Sequence, residues 1–437
     1  MTSGRLRTSQ GGSSRPGRDR VAVIGSGVAG LTSAYLLQRH YDVSLYEADD
    51  RLGGHAHTHD ILTPDAGIAA VDTGFIVHNA RTYPHLLRLF GELGVETRPT
   101  EMSMSVRCDG CGLEYAGAKG LSGLFAQGRS LTRVEYLRML TAVKRFHRSA
   151  RRLLDSGRDD VTLGEFLSRG QFTAYFGRHF IVPLVACVWS TSQQQALGYP
   201  ARYLFSFLAN HGMLSISGSP QWRTVVGGSR SYVEKAAKEL SAVRLGTPVR
   251  VVQRNADGMS VRDSDGGVEQ FDRVVVATHA DTALHLLATP TPDERRVLGS
   301  FRYTRNRTAL HTDEHVLPRS ARARASWNYL MRACDTASAD VMVSYDMNRL
   351  QRLATTTPYL VSLNSTGLIA PERIVREMDY EHPIFDVEAV TAQSGLAALN
   401  DGRIAYAGAY QGWGFHEDGC RSGVEAARSF GVEWERQ

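Results

Sequence analysis

No stretch of this 437-residue chain approaches the roughly 20 unbroken apolar residues that a membrane span requires. The opening, MTSGRLRTSQGGSSRPGRDR, carries no apolar segment, so it is not read as a secretory signal; a disordered basic tail is expected over residues 1–20. Cysteine is scarce and odd in number: Cys108, Cys111, Cys187, Cys334 and Cys420. That count suits reduced thiols and a cytoplasmic setting better than a disulfide framework. Cys108 and Cys111 form a single CDGC, and no second CxxC or nearby HxxxH completes a zinc set. The sequence expectation is therefore a hairpin turn through Asp109 and Gly110, and no metal. Positive charge is also thinner than the net +5 suggests. Arg5, Arg7, Arg15, Arg18 and Arg20 stand in the tail against Asp19 alone, and the remainder is nearly neutral. A nucleic-acid partner is not expected. The tail is read as solvated, with a weak peripheral contact to anionic lipid as the other reading.

What the chain does contain is a nucleotide-binding opening. VAVI reads as a buried strand, followed by Gly25, Gly27 and Gly30 at GxGxxG spacing. LTSAYLLQRH reads as a helix with Leu31, Ala34, Tyr35 and Leu37 as its apolar positions. Gly25 permits the tight turn, Gly27 lets backbone approach a pyrophosphate, and Gly30 lets helix pack on strand. The helix N-terminus offers N–H groups and partial positive charge to phosphates. DVSLYE is the second strand, and Glu47, 20 residues after Gly27, suits ribose hydroxyls. This pattern alone leaves nicotinamide and flavin open.

Three later stretches bear on that choice. ADDRLGGHAHT follows Glu47 and adds Arg51, Gly53 and Gly54 to the phosphate region. LGTPVRVV and FDRVVVATHA flank the polar turn NADG and read as strands returning to the nucleotide domain. The chain closes with RIAYAGAYQGWGFHEDGCRSGVEAARSF: a strand, a glycine-rich turn and a helix expected to start near Gly419. Together these resemble the flavin-containing amine oxidase superfamily, which includes phytoene-type desaturases. VDTGFIVHNARTYPHL, PQWRTVVGGSRSYVE and GFHEDGCRSG resemble most a bacterial subgroup known only as NAD/FAD-binding proteins.

The resemblance implies an α/β fold: a Rossmann-like FAD-binding domain of the glutathione-reductase type, interleaved with an α+β substrate domain. The expected division is 21–85, 216–300 and 396–437 for FAD, and 86–215 and 301–395 for substrate. It implies FAD contacts at Gly25, Gly27, Val28, Ala29, Gly30, Glu47, Ala48, Arg51, Gly53, Gly54, His55, Thr73, Gly74, Val249, Ala277, Gly408, Gly414, Phe415 and Asp418. The last helix is expected to aim its N-terminus at the flavin ring, where negative charge collects on reduction.

No second GxGxxG follows a strand, and VVGGSRSYV has the wrong spacing. That favours oxygen, a quinone or a carrier protein as electron acceptor over NAD(P)H, and equally permits redox-neutral chemistry. Residues 130–215 read as mainly helical and Arg-rich, and 301–365 as antiparallel strands. His55, His57 and His59 alternate, but a cation beside FAD phosphates is not called for; polar packing or an FAD contact is expected. Gly227 and Gly228 are either a close backbone approach to the flavin or an ordinary helix start capped by Ser229.

The candidate catalytic residues are His416, Glu417, His211, Tyr410 and Trp413. For each, packing or capping is the competing reading; for His211 that is a helix-terminal ring satisfied by a carbonyl. Cys420 lies inside the expected helix, a poor place for a covalent flavin bond. The apolar runs FIVPLVACVWS and YLFSFL suit a hydrophobic, unsaturated substrate, an acyl lipid or isoprenoid-like molecule whose C=C bond is formed or moved. The alternatives are an amine oxidase, with Trp413 and Tyr410 as an aromatic cage, and a non-catalytic flavoprotein scaffold. Oligomeric state is not legible in the sequence.

Overall fold

The computed structural model describes residues 17–157, 160–215, 218–335 and 341–435. Residues 1–16 of the expected tail lie outside them. The chain divides into two compact units. The first comprises the chain up to Gly54, Tyr232–Gly299 and Gly395 onward; the second comprises His55–Ser231 and Ser300–Ser394.

The first unit is built on a five-stranded parallel sheet. Its strands are β1 (Arg20–Ile24), β2 (Asp42–Tyr46), β3 (Ala242–Arg244), β4 (Arg273–Val276) and β5 (Ile404–Tyr406), in the order β3-β2-β1-β4-β5. β1 is central, and Val21, Ala22 and Val23 are fully buried, as an interior parallel strand demands. Helix α1 (Val28–Leu37) follows β1, and helix α2 (His416–Ser429) packs along it. α1 is therefore covered on nearly every side. Leu36 is buried along with the expected Leu31, Ala34 and Leu37, while Tyr35 is only half-buried. An antiparallel meander of Val249–Asn255, Gly258–Asp263 and Val268–Phe271 completes the unit, with NADG as its first turn. α2 begins at His416, three residues before the expected start near Gly419, because Asp418 caps it from within the first turn.

The second unit holds a seven-stranded sheet. Arg302–His311 pairs along its length with Ile374–Ile384, and Leu360–Leu363, Val343–Asp346 and Trp327–Met331 continue the antiparallel run. The hairpin Met104–Cys108 and Leu113–Ala116 joins through a parallel pairing to Trp327–Met331 that no local pattern announces. Helices Val134–Asp155, Leu163–Arg169, Val182–Trp189 and Ala201–Asn210 are among its helices. Their apolar residues build an aromatic core: Phe146 lies 5.5 Å from Phe205, and Phe166 4.7 Å from Phe205, centroid to centroid. In helix Pro84–Glu92 the buried residues are Leu86, Leu89 and Phe90.

Residues 55–85 and 218–231, expected with the FAD domain, lie in the second compact unit. Their backbone pairing explains this. His78–Asn79 and Thr97–Pro99 both hydrogen-bond to Trp222–Val225. Asp72 is held by Ser229 and Gln351.

Candidate flavin site

The glycine turn between β1 and α1 has the shape its three glycines require. Gly25 has φ +99°, and a β-carbon there would fall 2.6 Å from the carbonyl oxygen of Ala277. A β-carbon on Gly30 would fall 1.8 Å from the carbonyl oxygen of Gly25, so helix and turn meet with no room for a side chain. Gly27 is different: nothing lies within 4 Å of its missing β-carbon. The open cradle is at Gly27, the N-cap of α1, where no side chain caps the helix and no acidic residue occupies the first turn. The N-terminal N–H groups of Val28, Ala29 and Gly30 thus belong to an uncapped helix end suited to an anion.

The stretch after β2 folds onto this turn. The Gly53 N–H donates to the Ser26 carbonyl and to Ser26 Oγ, both at 3.1 Å. Gly54 has φ +55°, and its β-carbon would stand 3.2 Å from Gly27 Cα. Glu47 stands at the end of β2. Its Oε2 accepts from the Ser26 N–H at 2.9 Å and from the Ser26 hydroxyl, and its Oε1 accepts from the Asp49 N–H at 2.9 Å. The carboxylate is fixed in place, with lone-pair capacity left on Oε1 for a ribose hydroxyl. Ser26 was missed in the sequence; its only signal is a hydroxyl inside the glycine triplet. Ala48 follows Glu47, and Arg51 pairs loosely with Asp49 at 3.9 Å.

The end of the chain closes on the same helix. A β-carbon on Gly419 would fall 2.6 Å from Val28 Cγ1, and one on Gly423 would fall 2.4 Å from the Ala29 carbonyl oxygen. Cys420 is buried in this seam, 3.5 Å from Thr32 Oγ1, and burial raises its thiol pKa far above the ordinary value. Gly408 donates its N–H to Ser422 Oγ at 2.9 Å. Gly414 has φ +91°, which favours glycine. The Phe415 N–H donates to Asp418 Oδ2 at 3.0 Å, and burial raises the Asp418 carboxyl to about 6. The side chain of Asp418 is thus occupied with its own helix, and backbone is what it has to offer a cofactor.

Among the catalytic candidates, His416 Nε2 lies 3.1 Å from the hydroxyl of Tyr232, a partner that the sequence did not suggest. Glu417, Trp413 and Phe415 are half-buried beside it in the chain. Tyr410 is buried, and the β-carbon missing from Gly408 would touch its ring at 2.3 Å. His211 lies in the second unit. Its Nδ1–H donates to the Phe207 carbonyl at 3.0 Å, its ring stacks on Phe207 at 4.0 Å, and burial lowers its pKa to about 4.

His55, Thr73 and Gly74 also belong to the second unit. There Tyr380 gathers their surroundings: its hydroxyl is 2.7 Å from Thr73 Oγ1 and 2.9 Å from His57 Nδ1, and its ring is 5.1 Å from that of His55. Gly227 and Gly228 have φ of +75° and +87°, so this is a glycine-demanding turn. The Ser229 hydroxyl, at the start of the helix that follows, donates to Asp72 Oδ1 at 2.7 Å. Asp72, fully buried, also accepts from Thr58, from the Ser229 N–H and from Gln351. The sequence signal for it is an acid closing the otherwise apolar strand GIAAVD.

The strand order, the open glycine cradle and the acid at the end of β2 define the first unit as a dinucleotide-binding domain. The family model for flavin-containing amine oxidoreductases matches residues 28–348, and the chain belongs to that family. FAD is its cofactor, and the residues around Gly27 fit the diphosphate because a side chain there would fill the space. The chain is 26% identical over 286 residues to (S)-6-hydroxynicotine oxidase of Paenarthrobacter nicotinovorans, spanning 63% of either chain. It thus spans less than two thirds of that relative's length. Its structure resembles cyclohexylamine oxidase from Brevibacterium oxydans, with TM-score 0.66, 17% identity, and 96% of this chain and 100% of that one covered. It also resembles the CLA-producing fatty acid isomerase from P. acnes, with TM-score 0.65, 15% identity, and 93% and 97% covered.

Proposed function

We propose that this chain is an FAD-dependent oxidoreductase acting on a small hydrophobic, unsaturated substrate, an acyl lipid or isoprenoid-like molecule, in which it forms or moves a C=C bond. The observation that carries the redox reading is the clasp of α2 on α1, which brings the glycine-rich entry to α2 and the diphosphate cradle into one unit. Bound FAD supplies the hydride-accepting N5. The chain's own residues bind the diphosphate at Gly27 and the N-terminus of α1, orient the ribose at Glu47, and hold His416 against Tyr232 for proton movement at Nε2. The substrate class is supported by Tyr410. Half of the aromatic pair that an amine would call for is packed against Gly408, which leaves the apolar Trp413 and Phe415 half-buried. The apolar helices that first suggested a lipid support it less, because their phenylalanines pack on one another.

An amine substrate is the second reading, and the 286-residue match to (S)-6-hydroxynicotine oxidase favours it. Anaerobic mixing of the purified holoprotein with fatty acids, prenyl lipids and amines tests both. Flavin bleaching or double-bond migration with a lipid supports the first reading. Bleaching by amines alone, with peroxide release in air, replaces it with the second.

A further inference from the structure

The two cysteines of the CDGC turn are joined in the second unit by two side chains from distant segments. Cys334 Sγ lies 3.6 Å from Cys108 Sγ, and His179 Nε2 lies 3.6 Å from Cys111 Sγ. All four ligand atoms lie within 4.8 Å of one another. A tetrahedral zinc ion with bonds of about 2.3 Å to sulfur and 2.0–2.1 Å to nitrogen sets ligand separations of about 3.8 Å and 3.6 Å. The observed spacing matches a single ion; a two-iron cluster would hold its ligands farther apart.

The histidine is already in the tautomer that a metal needs. Its Nδ1 lies 3.3 Å from the Tyr175 carbonyl, which can only accept, so the proton is on Nδ1 and the lone pair on Nε2 faces Cys111. The Tyr175 ring stacks on it at 4.1 Å, and the Tyr115 hydroxyl donates to the His179 carbonyl at 2.7 Å, so the imidazole has little freedom. The backbone is shaped around the cluster as well. Gly110 sits so near Cys334 that a β-carbon would fall 2.7 Å from its N atom, and Arg133 donates to the Cys111 carbonyl at 2.8 Å. Cys108 and His179 are buried, while Cys111 and Cys334 are half-buried and leave a path for an ion.

From this convergence we infer that Cys108, Cys111, His179 and Cys334 form a structural zinc site, a Cys3His set that ties the CDGC turn and the end of strand Trp327–Met331 to the π-helical turn Gly177–Ile181. Four protein ligands close the coordination sphere, so the ion holds structure and has no open position for substrate. A Cys108–Cys334 disulfide would use two of the four groups and give no account of His179 aimed at Cys111. The site is independent of the flavin reading, since every ligand lies in the second unit.

The test is metal analysis of the full chain purified without chelators from zinc-supplemented cells, with X-ray absorption at the zinc edge. About one zinc per chain is expected, with three sulfurs near 2.3 Å and one nitrogen near 2.0 Å. Cys334→Ser and His179→Ala should lower bound zinc at least about tenfold, because metal affinity rests on the full ligand set, while Cys187→Ser keeps it. If the ligand variants do not fold, the wild-type absorption spectrum decides alone. Wild-type protein with less than about a tenth of an equivalent of zinc overturns the inference. So does iron with acid-labile sulfide, or a Cys108–Cys334 disulfide in metal-free protein.

Discussion

The Ala29 carbonyl oxygen stands 2.4 Å from the point where a side chain on Gly423 would begin. Helices α1 and α2, from opposite ends of the chain, meet there backbone to backbone. Gly423→Val should cost about 1–3 kcal/mol by overpacking, and toward the upper end because the obstacle is a carbonyl. Urea denaturation with the flavin's absorbance as one probe measures it. A variant as stable as wild type would mean that the seam is loose.

The three glycines of the turn should respond differently to alanine. Gly30→Ala meets the Gly25 carbonyl and should abolish the turn, giving colourless or insoluble protein. Gly27→Ala meets nothing, so the fold should hold while FAD affinity drops, because the methyl group occupies the cradle. Glu47→Ala should also lower FAD occupancy, since it removes both the ribose acceptor and the anchor of Ser26. Flavin-to-protein absorbance ratios read all three.

His416 and Tyr232 are expected to act together. His416→Ala should keep FAD yet slow flavin reduction by substrate about 10²-fold, the usual scale for losing a general acid or base. Tyr232→Phe should retain turnover with a shifted pH profile, because the hydroxyl 3.1 Å from Nε2 biases the proton on the ring. Stopped-flow reduction rates equal to wild type would remove His416 from the mechanism.

His311 should make the protein acid-sensitive. Burial, the largest influence, lowers its pKa to about 4. The Asp313 N–H donates to Nδ1 at 3.1 Å, so the ring must stay neutral and donate from Nε2 to Ser362. The unfolded chain gains its proton near pH 6.5 and the folded chain only near 4, so stability falls as pH drops through that window. At pH 5 the loss is about 2 kcal/mol. His311→Gln should remove that part of the difference between urea midpoints at pH 7 and pH 5; an unchanged difference refutes the assignment.

Local patterns were read correctly where neighbours in sequence are neighbours in space. The strand–turn–helix of Val21–Leu37, Glu47 at the end of β2, and the hairpin at Met104–Ala116 all depend on a few adjacent residues. The start of α2 was placed late because its cap, Asp418, lies inside the helix rather than before it. The Ser229 hydroxyl reaches a buried acid 157 residues away, a partner that no local pattern names. The side chains that gather around the CDGC turn stand 68 residues on at His179 and 226 residues on at Cys334, beyond the reach of any local spacing.

The amino-acid order alone determined that this chain would form an open glycine turn shaped for a diphosphate and place an acid beside it, since glycine conformation and strand periodicity act over a few bonds. Only the tertiary structure decided what closes over that cradle and which side chains gather around Cys108 and Cys111. Those contacts come from packing between segments tens to hundreds of residues apart, and no local rule of spacing encodes which distant surfaces exclude water together.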